Sequence, residues 1–324
     1  MRYVPAVVTT LLFAASASVT TQEAPRIDHH QHLFSPALAA VLSQPPPAAP
    51  TPSVTARDLI MHLDAAGIER AVVLSAAYIF QQPTRRIDDA AAKVRAENDW
   101  VSQQVAQFPA RLVGFCAVNP LSEAAPDEVQ RCATDPNLRR GLKLHLGNSG
   151  FDYGDREHIV RLRRVFQLAN ERRMAIAVHM RASYNLKLPY GRNEAVTFLN
   201  EIVPAAPDVV IQVAHLAGGG GPNDQASYDA FAVLADAVAA ADPRTRLLYF
   251  DVTGIGLLPQ LTADEAAMFA RRIRQIRVER ILFGSDAILS GNPPPREQWA
   301  AFRKLPLTEE EFRTIASNVA PYLR

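Results

Sequence analysis

Residues 26–34 read RIDHHQHLF and place three of the chain's eight histidines within four positions. If this segment is a β-strand, its side chains alternate between two faces, so Asp28, His30 and His32 share one face and His29 points to the other. We therefore predict that the H-x-H pair, His30 and His32, converges on a single ion. His29 is predicted to face the helices that cover the strand.

Short runs of apolar and β-branched residues recur along the chain and alternate with amphipathic stretches of helical length. The strand candidates are residues 26–33, 70–76, 111–119, 139–146, 174–180, 208–216, 246–253 and 280–287. Helical candidates are residues 55–67, 88–108, 158–173 and 264–280. Eight alternations over about 260 residues are what a (β/α)8 barrel requires, whereas an open doubly wound sheet would usually carry a Gly-rich turn after its first strand, and none is present. We predict a single-domain (β/α)8 TIM barrel.

The N-terminal residues have the features of a secretory leader. Arg2 precedes an apolar run, and Ala15, Ser16 and Ala17 offer a small-residue cleavage site. We predict that residues 1–17 are a removed signal peptide and that residues 18–324 form the barrel domain, exported to the periplasm or secreted. The leader is too short for a membrane span, which needs ~20 apolar residues, and no later segment approaches that length.

The charge balance indicates the class of partner. Lys and Arg number 34 against 33 Asp and Glu, which gives a net charge of +1. Because the sequence has neither a basic stripe nor a long acidic run, we predict a small-molecule substrate and no nucleic-acid partner. This pattern leaves the oligomeric state open.

The chain has two cysteines. Cys116 lies in the strand-like segment LVGFCAV and Cys132 in the helix-like segment DEVQRCAT. Export permits a disulfide without requiring one. Because cysteines in such elements commonly pack as small apolar residues, we predict two buried thiols, with a disulfide as the alternative.

Active sites of (β/α)8 barrels lie at the C-terminal ends of the strands. Ionisable residues fall at those predicted ends: His30, His32, Lys143, His145, His179, His215 and Asp286. A set of three imidazoles and one carboxylate, His30, His32, His179 and Asp286, suits Zn²⁺ or a similar divalent ion and leaves a coordination position for water. We predict a mononuclear divalent metal site, with Zn²⁺ as the ion.

Further polar residues have less defined roles. His215 ends a strand before a Gly-rich loop, which favours an acid–base or water-orienting role over a place in the core. Lys143 and His145 share a face of GLKLHL; either could bind metal or substrate, Lys143 could be carbamylated between two metals, or both could be inward structural residues. Arg181 could bind a substrate carboxylate or be a solvated loop residue. The remaining histidines, His62 and His158, are predicted to be surface or helix-packing residues.

Five segments in order, IDHHQHLF, GLKLHLG, AVHM, VAHLAGG and RILFGSDA, resemble the amidohydrolase superfamily. Within it they are most similar to the amidohydrolase-related group that contains aminocarboxymuconate semialdehyde decarboxylase and pyrone-dicarboxylate lactonase. The resemblance implies that the metal ligands are His30, His32, His179 and Asp286. It also implies that His215 activates the reacting group and that Asp286 relays a proton.

Three functions are compatible with this site. The leading hypothesis is hydrolysis, in which a metal-activated water attacks a lactone, ester or amide carbonyl. The alternative is non-oxidative decarboxylation of an aromatic or unsaturated acid, with Arg181 or another cation holding a carboxylate. A third hypothesis is an exported binding protein that captures a ligand or metal without turnover.

Overall fold

The structure is a computed structural model that describes residues 23–44, 50–218, 224–254, 261–287 and 292–324. The predicted signal peptide, residues 1–17, lies outside the described residues. Within the described ranges, no helix combines the length and the apolar composition that a bilayer crossing requires.

Eight parallel strands form one sheet in sequence order. They are β1 (Ile27–Gln31), β2 (Arg70–Leu74), β3 (Leu112–Ala117), β4 (Gly141–His145), β5 (Ala175–His179), β6 (Ile211–Val213), β7 (Leu248–Asp251) and β8 (Ile281–Leu282). The His29 amide donates to the Phe283 carbonyl at 2.8 Å, which joins β1 to the residue after β8 and closes the sheet. The predicted (β/α)8 barrel is confirmed, and its strands are shorter than predicted because their last predicted residues leave the sheet and enter the loops at the barrel mouth.

Helices follow the strands and cover the outside of the barrel. In the described ranges they are α1 (Pro36–Leu42), α2 (Ala56–Ala66), α3 (Ala90–Val105), α4 (Ala125–Cys132), α5 (Leu146–Ser149), α6 (Arg156–Glu171), α7 (Arg192–Thr197), α8 (Gln225–Ala239), α9 (Ala263–Ile276), α10 (Pro295–Phe302) and α11 (Glu309–Ser317). α2 begins with a capping box between Thr55 and Asp58 and ends at Gly67, whose φ of 71° favours glycine.

The C-terminal residues close the N-terminal end of the barrel. Leu323 packs with inward-facing strand residues such as Val72 and Phe115. The Tyr322 ring lies 5.1 Å from that of Phe115, and its hydroxyl donates to Gln212 Oε1 at 2.6 Å. One end of the barrel is therefore packed, and the polar side chains gather at the other end.

Cys116 in β3 and Cys132 in α4 form a disulfide, with an S–S distance of 2.06 Å. The prediction of two free buried thiols was wrong. Both cysteines are buried as predicted, but α4 packs back on β3 and brings their Cα atoms to 6.1 Å, within the usual range for a disulfide. Local sequence patterns indicate the burial of each cysteine but not this proximity.

Candidate metal centre

His30, in β1, presents one ring nitrogen to the barrel interior. Its Nδ1 lies 3.0 Å from Asp251 Oδ2, and because a carboxylate can only accept, Nδ1 carries the proton. Burial lowers the pKa of His30, so its ring is neutral and Nε2 is an unprotonated acceptor. Nε2 lies 3.3 Å from Lys143 Nζ. His30 is therefore in the tautomer that a metal ligand binding through Nε2 requires.

His32 follows β1 and has the same tautomer. Its Nδ1 donates to the Leu74 carbonyl at 2.5 Å, which leaves Nε2 free at 3.6 Å from Asp286 Oδ1. Burial holds the pKa of His32 well below its usual value. The predicted H-x-H pair thus presents two unprotonated Nε2 atoms, even though the pairing of β1 with β2 shifts register between Asp28 and Gln31.

Asp286 lies beyond β8 in a left-handed conformation, with φ 52°, and its amide donates to the His30 carbonyl at 2.8 Å. Its carboxylate is buried, and Oδ1 has no hydrogen-bond partner among the described residues. Burial raises the pKa of Asp286 well above its usual value. A buried, unpaired carboxylate is costly unless a proton or a cation compensates it.

The donor atoms of His30, His32 and Asp286 lie within 4.8 Å of one another. Two imidazole nitrogens and one carboxylate oxygen form a mixed donor set suited to divalent ions such as Zn²⁺ or Mn²⁺. A divalent ion bound here would compensate the negative charge of the Asp286 carboxylate, whose Oδ1 has no hydrogen bond among the described residues. These three residues therefore fit a divalent metal ion.

His179 and His145 lie side by side at the ends of β5 and β4. Their rings stack with centroids 3.9 Å apart, and the His179 ring also lies 4.8 Å from that of His215. The predicted fourth ligand, His179, is thus at the same mouth, but it is not in the group whose donor atoms lie within 4.8 Å. His145 Nδ1 accepts from the Asn148 amide at 3.1 Å, so the proton of its neutral ring lies on Nε2. In this tautomer His145 is a hydrogen-bond donor and not a metal ligand.

His215 follows β6 in a strained turn. His215, Leu216 and Ala217 all have positive φ, of 55°, 49° and 66°, and such strain concentrates at functional sites. The His215 Nδ1 donates to the Thr253 carbonyl at 3.1 Å, and burial lowers the pKa of His215 to about 3. Its ring lies 4.9 Å from that of His30. A neutral imidazole with a free Nε2 therefore faces the candidate metal site.

Two cationic residues are buried at the mouth. Burial lowers the pKa of Lys143 to about 8, against the opposing charges of Asp251 and Asp286. Arg181 is only 7% exposed, and its guanidinium lies 3.6 Å from the ring centroid of Tyr184. Arg181 Nε lies 3.4 Å from Asp224 Oδ2, an ion pair that is longer than a usual hydrogen bond. Neither Nε nor Nη1 of Arg181 has a hydrogen bond in the described part of the chain. The solvated loop arginine considered from the sequence is ruled out.

Sequence reasoning missed Asp251, at the end of β7. It is fully buried and bonds both to His30 and to the backbone of His215. Asp251 lies near the end of the predicted seventh strand, residues 246–253. Asp286 was predicted as a site residue because it is a carboxylate near the end of the eighth strand. The same criterion applied to every strand would have found Asp251.

The other histidines lie apart from this cluster, as predicted. His29 is buried; its Nδ1 donates to the Phe283 carbonyl at 3.1 Å and its Nε2 accepts from the Ala320 amide at 3.3 Å. His62 is exposed, and the half-buried His158 accepts from the Asp152 amide at 3.0 Å.

Solved structures with the same fold include enzymes of two reaction types. The chain is 16% identical to 5-carboxyvanillate decarboxylase from Sphingomonas paucimobilis, with a TM-score of 0.64 and coverage of 91% of this chain and 97% of that one. It is 16% identical to a probable 2-pyrone-4,6-dicarboxylic acid hydrolase from Acinetobacter baumannii, with a TM-score of 0.58 and coverage of 90% and 96%. It is 17% identical to a manganese-bound dihydroxybenzoic acid decarboxylase from a Polaromonas species, with a TM-score of 0.60 and coverage of 91% and 95%.

No curated protein sequence matches the chain significantly. The sequence profile described as amidohydrolase matches residues 27–320, from the first residue of β1 to the segment after α11. This match spans the strands and the loops that carry every residue of the candidate metal centre. The chain therefore belongs to the amidohydrolase family.

Proposed function

We propose that the protein is a metal-dependent hydrolase that cleaves a lactone, ester or amide bond of a small molecule. The observation that carries this proposal is the unpaired Asp286 Oδ1 beside the unprotonated Nε2 atoms of His30 and His32. A bound divalent cation polarises a carbonyl oxygen and makes a nearby water a stronger acid.

Different side chains of this protein would carry out the proton transfer and the hydrogen bonding that hydrolysis requires. Asp286 lies beside the metal position and accepts the proton of the attacking water as the general base. His215 has an unprotonated Nε2, so it orients that water by accepting a hydrogen bond. His145 carries its proton on Nε2 and donates to the oxygen of the substrate carbonyl. The tautomers thus support different roles for the two histidines.

We propose a single metal ion, because one group of three donors converges among the described residues of the barrel mouth and Lys143 Nζ lies against His30. Zn²⁺ is the proposed ion, and the mixed nitrogen and oxygen donors also suit manganese, which is bound in the Polaromonas decarboxylase. We propose His179, whose ring lies 4.8 Å from that of His215 at the same mouth, as the fourth ligand.

Non-oxidative decarboxylation is the second candidate, and Arg181 favours it. The Nη1 group of the buried Arg181 guanidinium has no hydrogen bond among the described residues, so it can donate to a substrate carboxylate. The neighbouring Tyr184 and Tyr190 rings, 3.6 and 5.0 Å from the guanidinium carbon, limit its motion. In this reaction Arg181 would hold a carboxylate of the substrate.

Product analysis distinguishes the two reactions. Purified protein is stripped with a chelator, reloaded with Zn²⁺ or Mn²⁺, and incubated with lactones, esters, amides and aromatic acids. Metal-dependent formation of a hydrolysed product supports the hydrolase, and release of CO₂ without hydrolysis supports the decarboxylase. Stoichiometric binding without turnover would favour the binding protein and contradict both.

We also propose that the chain is exported. The buried disulfide between Cys116 and Cys132 supports this proposal, because disulfides persist mainly in oxidising compartments. The test is the intact mass of the protein from a bacterial host. A mature chain that begins at residue 18 in the periplasmic fraction is expected, and an uncleaved chain confined to the cytosol would contradict export.

A further inference from the structure

Asp251 uses both carboxylate oxygens in the barrel interior. Oδ2 accepts from His30 Nδ1 at 3.0 Å and from Gln212 Nε2 at 2.7 Å. Oδ1 accepts from the backbone amides of His215 at 2.8 Å and Thr253 at 3.3 Å. One buried side chain therefore contacts a candidate metal ligand and the loop that carries a candidate catalytic histidine.

The bond to His30 determines the tautomer of that ring. A neutral imidazole has one N–H, and an acceptor at Nδ1 keeps it there, so the lone pair stays on Nε2. Metal-binding histidines commonly donate their second nitrogen to a carboxylate for this reason. The contact also fixes the orientation of the ring, since Asp251 is itself held by Gln212.

The bond to the His215 amide supports the strained turn. Three consecutive residues other than glycine, His215 to Ala217, have left-handed backbone conformations. Such conformations persist only where the surroundings hold them. Asp251 Oδ1 binds the amide of the first of the three residues, at the point where the chain leaves β6.

This arrangement extends to the opposite end of the barrel. The Tyr322 hydroxyl donates to Gln212 Oε1 at 2.6 Å, and Gln212 Nε2 in turn donates to Asp251. A chain of hydrogen bonds thus runs from the C-terminal segment through the barrel axis to His30. Each donor and acceptor along it is buried or half-buried.

We propose that Asp251 is a positioning residue of the metal centre, which sets the tautomer of His30 and the turn of His215, and that Tyr322 acts on it through Gln212. The inference rests on the proposed function in that it assumes a metal at His30 and His32. The tautomer of His30 is a property of the metal-free protein and can be measured whether or not the protein hydrolyses anything.

The test compares Asp251→Asn with the wild type in two measurements. Nitrogen NMR of the metal-free protein, with the His30 signal assigned by its absence in His30→Gln, reports which ring nitrogen is protonated. Competition with a chromogenic chelator reports the affinity for Zn²⁺. We expect a mixed or reversed tautomer and a Zn²⁺ dissociation constant that is roughly 10 to 100 times higher. Glu97→Gln, which alters a buried carboxylate that bonds Ser35, is the matched control and should leave both measurements unchanged.

Tyr322→Phe keeps the inference testable if Asp251→Asn does not fold. It removes one hydroxyl and keeps the ring beside Phe115, and we expect a shifted His30 signal and a Zn²⁺ dissociation constant about 2 to 5 times higher. Tyr249→Phe, on β7 beside Gln212 in the sheet, is its control. A folded Asp251→Asn variant with the wild-type His30 tautomer and Zn²⁺ affinity would overturn the proposal. If Asp251→Asn does not fold, a Tyr322→Phe variant with an unchanged His30 signal and Zn²⁺ affinity would overturn it. Absence of turnover in the wild type would instead count against the proposed function.

Discussion

The Oδ1 atom of Asp286 lies 3.6 Å from Nε2 of His32 and has no hydrogen-bond partner among the described residues. Two acceptors that face each other in a buried site attract a proton or a cation. This relationship explains why the metal-free protein should respond to pH through Asp286.

Asp286→Asn should stabilise the metal-free protein while it removes activity. The pKa of Asp286 is raised in the folded state, so its contribution to stability is fully present below the unfolded value of 3.8 and is lost as the pH rises toward the higher folded value. Urea unfolding of the metal-free proteins between about pH 4 and about pH 8 should show that the variant loses less stability with rising pH than the wild type does. Turnover by the metal-loaded variant should fall on the order of 10² to 10⁴-fold. An identical pH dependence in both proteins would contradict this assignment.

Replacement of Arg181 should affect carboxylate ligands selectively. Arg181→Lys keeps a positive charge but loses the planar fork of N–H groups, so the KM for substrates that bear a carboxylate should rise roughly 10 to 100-fold. Neutral esters or amides should be affected much less. Steady-state kinetics on a matched acid and amide pair provide the measurement, and an equal effect on both would show that Arg181 is structural.

The disulfide should contribute to stability without contributing to the site. The cysteines are 16 residues apart, and closing a loop of this size stabilises a protein by about 3 kcal/mol. Either single alanine variant, at Cys116 or Cys132, should lower the free energy of unfolding by nearly as much as the double variant, because each removes the same bond. Additive losses in chemical denaturation, or a change in metal affinity, would contradict this assignment.

His29→Asn should lower stability and leave metal binding intact. The asparagine can replace the Nδ1 donor to Phe283 but not the Nε2 acceptor for Ala320, so one buried amide loses its partner at a cost of about 1–3 kcal/mol. Thermal unfolding and metal content measure the two effects separately. Loss of metal from a folded His29→Asn protein would show that the assignment of ligands within β1 is incorrect.

The barrel was predictable because eight apolar strand candidates alternate with amphipathic segments, and every predicted strand is present. The placement of His30, His32 and Asp286 followed from the position of catalytic residues at strand ends. The disulfide was not predictable in the same way, because it depends on how α4 packs on β3. Local patterns describe single elements, and contacts between elements arise only in the fold.

The roles of individual site residues also required the fold. His145 and His179 look equivalent in the sequence, each at a strand end, but the Asn148 amide sets the tautomer of His145. The burial of Arg181 depends on Tyr184 and Tyr190, from its own loop, and on Asp224, which lies 43 residues further along the chain. Hydrogen-bond partners that appear only in the folded chain, near in sequence for His145 and distant for His30, therefore decide which residues act as ligands or donors.

His30, His32 and Asp286 are proposed to hold the metal ion on which the reaction depends. The test is elemental analysis and turnover of the purified wild type, of the chelator-stripped protein and of His30→Ala. We expect about one equivalent of divalent metal in the wild type, loss of activity on stripping with recovery on reloading, and neither metal nor activity in His30→Ala. Full turnover by the stripped protein, or wild-type metal content in a folded His30→Ala, would contradict the claim.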